Sequence, residues 1–197
     1  PEPEPEPLYQ AGVPVYESYP QILLGLNGLP TLQQRIGNRI WTNGGGGSTD
    51  NAGAGSEVLL EHNGVWARIE GVHNAIKPNL STTNAEYDYN TFRLQAGVDG
   101  LLAENEAGAL MGGIALHYTH GSARIRSVYD ADSGEGRIGT DGFGLTGTLT
   151  WLGESGFYLD GQGQVTWYDS NLSIGGGSQS LVRGNDGFGY ALSIEAG

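Results

Sequence analysis

The sequence predicts an all-β protein: an antiparallel up-and-down transmembrane β-barrel, present as a partial set of about six strands behind an N-terminal pore helix. Three observations predict it. From residue 65 onward apolar and polar residues alternate with period two, aromatic residues gather at the ends of the apolar stripes, and tight turns alternate with long polar connections.

Composition permits this class and excludes others. The chain has 197 residues, 35 of them Gly, with 9 Lys+Arg against 22 Asp+Glu. Its charged fraction of 16% lies below the ~25% usual for soluble domains. No apolar run approaches the ~20 residues of a spanning helix, and the mean hydropathy of -0.30 agrees. Alternating strands average out as polar, so neither value counts against a barrel. A formal charge of -13 argues against nucleic acid as a partner, which needs a basic surface, and against docking on anionic lipid. There is no Cys, hence no disulfide framework or thiolate site. The chain begins at Pro1 without initiator Met or signal peptide and reads as an excised or processed segment.

In order along the chain, Pro1-Glu2-Pro3-Glu4-Pro5-Glu6-Pro7 reads as a polyproline II spacer, stiffened by fixed φ angles and mutually repelling carboxylates. It opens an extended Pro-rich linker over 1–30, whose later part is amphipathic through Leu23, Leu24 and Leu26. After Pro30, Thr31 is placed to cap a helix from Leu32 to about Trp41. Leu32, Ile36 and Ile40 recur there at helical spacing, while Gln33, Gln34, Arg35, Asn38 and Arg39 make the rest polar. So polar a helix suits a hydrated surrounding better than a dry core. The Gly-rich stretch 43–55 completes a helix-and-connection unit over 31–64, and 65–197 is the first part of the barrel. Its strands are placed at about 65–73, 91–103, 109–120, 142–152, 156–169 and 187–196, and none contains Pro.

Sorting these strands by parity separates two faces. Phe92, Leu94, Ala96 and Val98 oppose Arg93, Gln95, Gly97 and Asp99; Phe157, Leu159, Val165 and Trp167 oppose Asp160, Gln162, Gln164 and Thr166. Soluble sandwiches also alternate, but they place large aromatics near strand centres. Here Phe92, Tyr118, Phe143, Trp151, Phe157, Trp167 and Phe188 sit at stripe ends with small aliphatics and Gly between, as two interfacial aromatic girdles around a lipid-facing band require. Connections 104–106 and 153–155 are tight, whereas 74–90, 121–141 and 170–186 are long and polar. The opposite parity then faces a lumen lined by Arg68, Glu70, Arg93, Gln95, Asp99, Asp160, Gln162, Gln164 and Glu195. Arg35 and Arg39 of the helix are placed to pair with its acids, with simple solvation as the alternative.

The segment Leu8-Tyr9-Gln10-Ala11-Gly12-Val13-Pro14-Val15-Tyr16, followed by Leu29-Pro30-Thr31-Leu32-Gln33-Gln34-Arg35-Ile36-Gly37-Asn38-Arg39, resembles the linker and pore helix of pertactin-like autotransporters. Val65-Trp66-Ala67-Arg68-Ile69 is similar to the first barrel strand of that family. The resemblance implies a twelve-stranded barrel threaded by the helix, in the bacterial outer membrane, serving type V secretion. Its implied partners are outer-membrane lipid, the barrel-assembly machinery and an upstream passenger domain. By that measure the chain is truncated, stopping after six strands at Ala196-Gly197. It also lacks the Asn-Asn pair on which self-cleavage in some relatives depends.

Candidate chemistry elsewhere is thin. His117 and His120 fall on opposite faces with no Cys nearby, which argues against zinc. Asp130, Asp132 and Glu135 lack the full ligand series of a calcium loop. Gly44 to Gly47 has no following Lys-Ser/Thr to make a phosphate cradle. Ser122 and Ser155 have no evident base. The reading is therefore a non-enzymatic translocator without catalytic residues, metal or cofactor. Its rivals are an outer-membrane barrel esterase or protease and a soluble β-sandwich binding module.

Overall fold

A computed structural model describes residues 10–37, 63–126 and 135–197. Two helices, α1 (Val13–Leu26) and α2 (Leu32–Gly37), precede six strands: β1 (Asn63–Ile76), β2 (Glu86–Asn105), β3 (Gly108–Arg126), β4 (Gly136–Gly153), β5 (Tyr158–Ile174) and β6 (Gln179–Ala196). They form one sheet in sequence order with antiparallel neighbours throughout. β1 and β6 do not pair with one another, so the described sheet is an open, partial barrel wall with two edges.

The sheet bends around the N-terminal segment. The segment from Leu26 to Arg35 hydrogen-bonds to side chains of β2, β4, β5 and β6. Strands lie ~4.8 Å apart, so β2 to β6 would span ~19 Å if flat. A helix is only ~10–12 Å across. Leu26, Asn27 and Gly28 alone already bond Arg93 on β2 and Tyr190 on β6, which three residues can do only from the hollow of a curved sheet.

All six strands exist at the expected places, but they run further than the sequence reading allowed. The segments 74–90, 121–141 and 170–186, read as long polar connections, are largely strand; between β1 and β2 only 77–85 remains outside, and between β5 and β6 only 175–178. The reason is a reversal of phase. In β3, Ile114 and Leu116 point outward and are exposed, whereas further along Ala123 and Ile125, of the opposite parity, are buried. β4 exchanges outward Leu145 for inward Ile138, and β5 exchanges outward Trp167 for inward Leu172 and Ile174. An outward apolar stripe followed as the strand signal is lost at that exchange.

The inward apolar residues of the strand extensions pack on α1. Val15, Ile22 and Leu26 on the helix and Tyr87, Ile125, Ile138 and Leu172 on the wall make a dry cluster. This overturns the reading of residues 13–26 as extended linker: they are helical. Pro14 occupies the first turn, where a missing N–H costs nothing. Pro20 lies inside the helix, a cost of ~3 kcal/mol in isolation. Burial of three side chains to 1% exposure or less outweighs it. Gly121 gives Leu26 room, since a Cβ there would stand 2.9 Å from a Leu26 methyl.

α2 starts as the sequence indicated. The Gln34 amide donates to Thr31 Oγ1 at 3.2 Å and the Thr31 amide to Gln34 Oε1 at 3.0 Å, a reciprocal capping box. The helix is described to Gly37; its expected continuation to Trp41, with Arg39, lies outside the described residues, as do the spacer 1–7, the Gly-rich connection 43–55 and most of the acidic loop 130–135.

Candidate functional site

The two faces of the sheet are inverted relative to a soluble protein. Outward, Val65, Ile69, Leu94, Val98, Ile114, Leu116, Leu145, Leu149, Leu192 and Ile194 are exposed, the last at 83%. Inward, Arg68, Gln95, His117, Thr146, Thr150, Asp160, Gln162, Gln164 and Thr166 are buried. In water such a wall would expose a continuous apolar band while burying its polar groups. In lipid both faces are satisfied.

Register aligns the aromatics. Tyr118 pairs with Phe143, Phe143 with Trp167 and Trp167 with Phe188, while Phe92 stands opposite His120, two residues from Tyr118. Ring centroids are 5.0 Å apart for Tyr118–Phe143 and 5.8 Å for Trp167–Phe188. Trp151 and Phe157, 6.1 Å apart, mark the other level beside the β4–β5 turn. Phe143 to Trp151 is eight steps, ~27 Å along the strand. At a tilt near 40° that rises ~20 Å, close to the ~25 Å of a barrel's apolar band. The Tyr118 hydroxyl donates to Asp141 at 2.6 Å, so its polar end faces the rim.

Inside, the N-terminal segment descends along β5. Tyr19 donates to Ser170 at 2.9 Å; Asn27 Oδ1 accepts from Tyr168 at 3.3 Å and from Gln164 at 3.1 Å. The Pro30 carbonyl accepts from Gln162 at 2.7 Å, and Arg35 is ion-paired with Asp160. Successive contacts thus step down β5 from the extended end to the short-turn end. Arg93 on β2 holds the far side, donating to the Leu26 carbonyl and, at 2.6 Å, to the Gly28 carbonyl. These groups terminate α1, whose orphan C-terminal carbonyls meet a cation.

At the lower end Arg35 and Asp160 are buried at 4% and 0% exposure. Asp160 also accepts from Thr150 and from Gln162 Nε2 at 3.0 Å. Arg35 Nη2 reaches Thr150 at 3.0 Å. The Leu32 amide donates to Glu195 at 2.9 Å, and Tyr158 fixes that carboxylate at 2.7 Å. Arg35 and Arg68 also keep buried guanidinium N–H groups that meet no protein acceptor. Buried donors of this kind call for water, and a cavity of about 150 Å³ beside Arg68, Glu70 and Arg93 has room for it.

Of the residues placed in the lumen from sequence, Arg68, Gln95, Asp160, Gln162 and Gln164 are buried on the inner face, and Glu70, Arg93 and Asp99 are half-buried there. Arg68 pairs with Glu70 at 2.6 Å rather than with a helix. Leu32 and Arg35 face the wall; Ile36 belongs to α2, and Arg39 lies outside the described residues. His117 is inward, between Thr166 at 2.9 Å and Thr146 at 3.3 Å. His120 is outward against Asp141 at 2.9 Å.

Sequence reasoning missed two anchors. Asn27 caps α1, and its side chain bridges β5 and β6; the signal was Asn-Gly-x-Pro closing an apolar run. Glu17 projects from α1 toward the β1–β2 connection and accepts from Ser81 Oγ, the Thr82 and Thr83 amides and, at 2.6 Å, Thr83 Oγ1. Burial pushes its carboxyl upward, but these donors, Thr83 foremost, outweigh that and hold it below its ordinary value.

The family model described as the autotransporter beta-domain matches residues 65–197. An adhesin autotransporter, BmaC, of Brucella suis biovar 1 (strain 1330) is 44% identical over 192 residues, 97% of this chain. The chain spans 5% of that relative's length. No solved structure matches it significantly.

Proposed function

The chain belongs to the autotransporter β-domain family of the bacterial outer membrane, and from that premise we propose that it is the translocator wall through which an upstream passenger is exported and displayed. The observation that carries the proposal is the ordered descent of residues 19–35 along β5. It leaves the start of α1 at the extended end of the barrel, away from the short turns, as export of an upstream segment through that end requires.

In this reading the wall performs no bond chemistry. Outward residues satisfy lipid, inward residues satisfy water and the helices, and Arg35, Leu32 and Asn27 hold the helical segment once export ends. Phe92, Tyr118, Phe143, Trp167 and Phe188 form the outer girdle, and Trp151 and Phe157 the inner one. In the described sheet the outer edges of β1 and β6 pair with no strand, and unpaired backbone groups cost several kcal/mol apiece in lipid, so in this reading the inserted wall takes further strands at those edges. Those strands and the membrane lipid are the partners the wall needs, with the barrel-assembly machinery inserting it. The related protein is named an adhesin; a surface-displayed passenger in this protein is the corresponding reading.

The test is an epitope inserted upstream of Pro1 in the full-length protein. It should be cleaved by external protease in intact cells, and an Arg35→Cys/Asp160→Cys pair should crosslink in the same cells. An inserted barrel whose upstream epitope stays protected would refute the export reading. Failure of that pair alongside success of a pair to a lipid-facing residue would refute the threading.

A further inference from the structure

The cations of this acidic chain are segregated. Arg35, Arg68 and Arg93 face inward. The other Lys and Arg of the described residues, Lys77, Arg124, Arg126, Arg137 and Arg183, all lie beyond the Tyr118–Phe143–Trp167–Phe188 level. Around the short turns the exposed charges are Glu104, Glu106 and Glu154. The end beyond the aromatic level also carries Glu86, Asp88, Glu135, Asp141, Asp169 and Asp186, so its described charges are not net positive and any anion there must be met locally.

Of these outer cations, Lys77 is neutralised by Glu86 at 3.1 Å and Arg126 by Asp88 at 2.7 Å. Among the described residues Arg124 and Arg137 make no ion pair; Asp88, directly opposite Arg124 in the β2–β3 register, is held by Arg126. They are direct cross-strand partners on the outward face, both exposed. Opposed residues have Cβ atoms ~5 Å apart, and like charges there repel. The Arg137 guanidinium leans over Gly177, its Nη1 3.5 Å from where a Cβ would stand. Asn90, Ser122, Asn171 and Ser173, with His73 and the Asp88 carboxylate that Arg126 holds, line a shallow concavity of about 580 Å³ around the two arginines. Two guanidiniums without an ion pair among the described residues, set among hydroxyls and amides and beside an Asp88 already neutralised by Arg126, suit a phosphate on a saccharide: Arg binds the anion bidentately, and the neutral groups meet sugar hydroxyls.

Height selects the source. Arg124 and Arg137 lie six residues beyond Tyr118 and Phe143, ~20 Å along the strand. At a tilt near 40° this is ~15 Å above the aromatic level. A phospholipid headgroup region extends only ~5–8 Å past the hydrocarbon. The occupant must hold its anion well above the acyl chains.

We propose that Arg124 and Arg137 form a binding site for the phosphorylated saccharide headgroup of an outer-leaflet glycolipid, seated against the outside of β2–β5. The placement in the outer leaflet rests on the orientation given above, but the binding chemistry does not, so the two can fail separately.

The test uses the full-length protein folded in detergent, with lipopolysaccharide as probe. Wild type should retain phosphorylated lipopolysaccharide, and Arg124→Ala/Arg137→Ala should weaken binding at least tenfold. Arg124→Lys/Arg137→Lys should fall between, and Arg183→Ala should match wild type. Equal binding by wild type and the double Ala variant overturns the proposal. So does equal binding of chemically dephosphorylated glycolipid, of phosphatidylglycerol vesicles, or of inorganic phosphate alone. If the double variant does not insert, a photoreactive residue at Ser122 in otherwise wild-type protein should capture the glycolipid in intact membranes. No adduct there, with lipid captured from Leu116, also overturns it.

Discussion

The two ends of the inner face use opposite chemistry to hold the same segment. Toward the extended end, α1 buries Val15, Ile22 and Leu26 against Tyr87, Ile125, Ile138 and Leu172, an ordinary dry core. Toward the short turns, Arg35, Leu32 and the Pro30 carbonyl are held by Asp160, Thr150, Gln162 and Glu195. The difference follows from what lies outside each half. The lower wall is wrapped in lipid, so its apolar side chains are committed outward and polar ones remain for the inside. The upper wall stands beyond the aromatic level, where the outward face is hydrated and the apolar set can turn inward. A strand can be amphipathic in only one sense at each height, and the environment selects which.

The sharpest way to break this comparison is at the polar end. Arg35→Ala leaves Asp160 fully buried without its cation, and the cost should be about 3–5 kcal/mol in a detergent unfolding series. Adding Asp160→Asn to that variant should recover much of the loss. If the single variant is neutral, water alone satisfies Asp160 and the ion pair anchors nothing.

At the apolar end, Ile22→Ala should cost about 3 kcal/mol through cavity formation, whereas Gln164→Ala on the polar wall should cost ~1 kcal/mol, since of its two hydrogen bonds to Asn27 one is long at 3.4 Å. Similar losses at both sites would erase the distinction between the halves.

The exchange of phase can be tested from outside. Ile114→Arg should destabilise the inserted protein by about 2–4 kcal/mol, while Arg at outward Ser122, above the aromatic level, should cost well under 1 kcal/mol. Equal penalties would place Ser122 within the hydrocarbon and move the boundary.

The smallest effect is a pH dependence where Glu17 of α1 clasps the β1–β2 connection. The Glu17 carboxyl is held below its ordinary 4.5, so it contributes stability above that pH and loses it as pH falls through the lower folded value. Protection of the Thr82 and Thr83 amides, taken relative to their intrinsic exchange rates, should therefore weaken in acid below the ordinary 4.5, and Glu17→Gln should show the weaker protection at all pH values. Wild-type protection unchanged in acid would remove Glu17 as the clasp.

The strands, their order, the outward stripe and the aromatic levels were all readable from period-two alternation, because each depends on one residue's own polarity and parity. Thr31 as cap was readable from local chemistry for the same reason. The strand extensions were missed where Ile125, Ile138 and Leu172 continued the alternation in the opposite phase. A pattern sought as one outward stripe cannot register its own inversion. The helix at Val13–Leu26 was missed because Pro14 and Pro20 argue locally for extended chain, while the burial that overrides them comes from strands more than 60 residues away.

By itself the sequence determined that this chain makes a lipid-facing sheet with a polar interior, since the alternation of side chains dictates two faces whatever surrounds them. The pairing of Arg35 with Asp160, the seating of Asn27 between β5 and β6 and the isolation of Arg124 with Arg137 were decided only by the tertiary structure. A charge or amide states what it requires but not where it will find it. That depends on register and on the curvature of the wall, which bring residues 125 positions apart in sequence into one hydrogen bond.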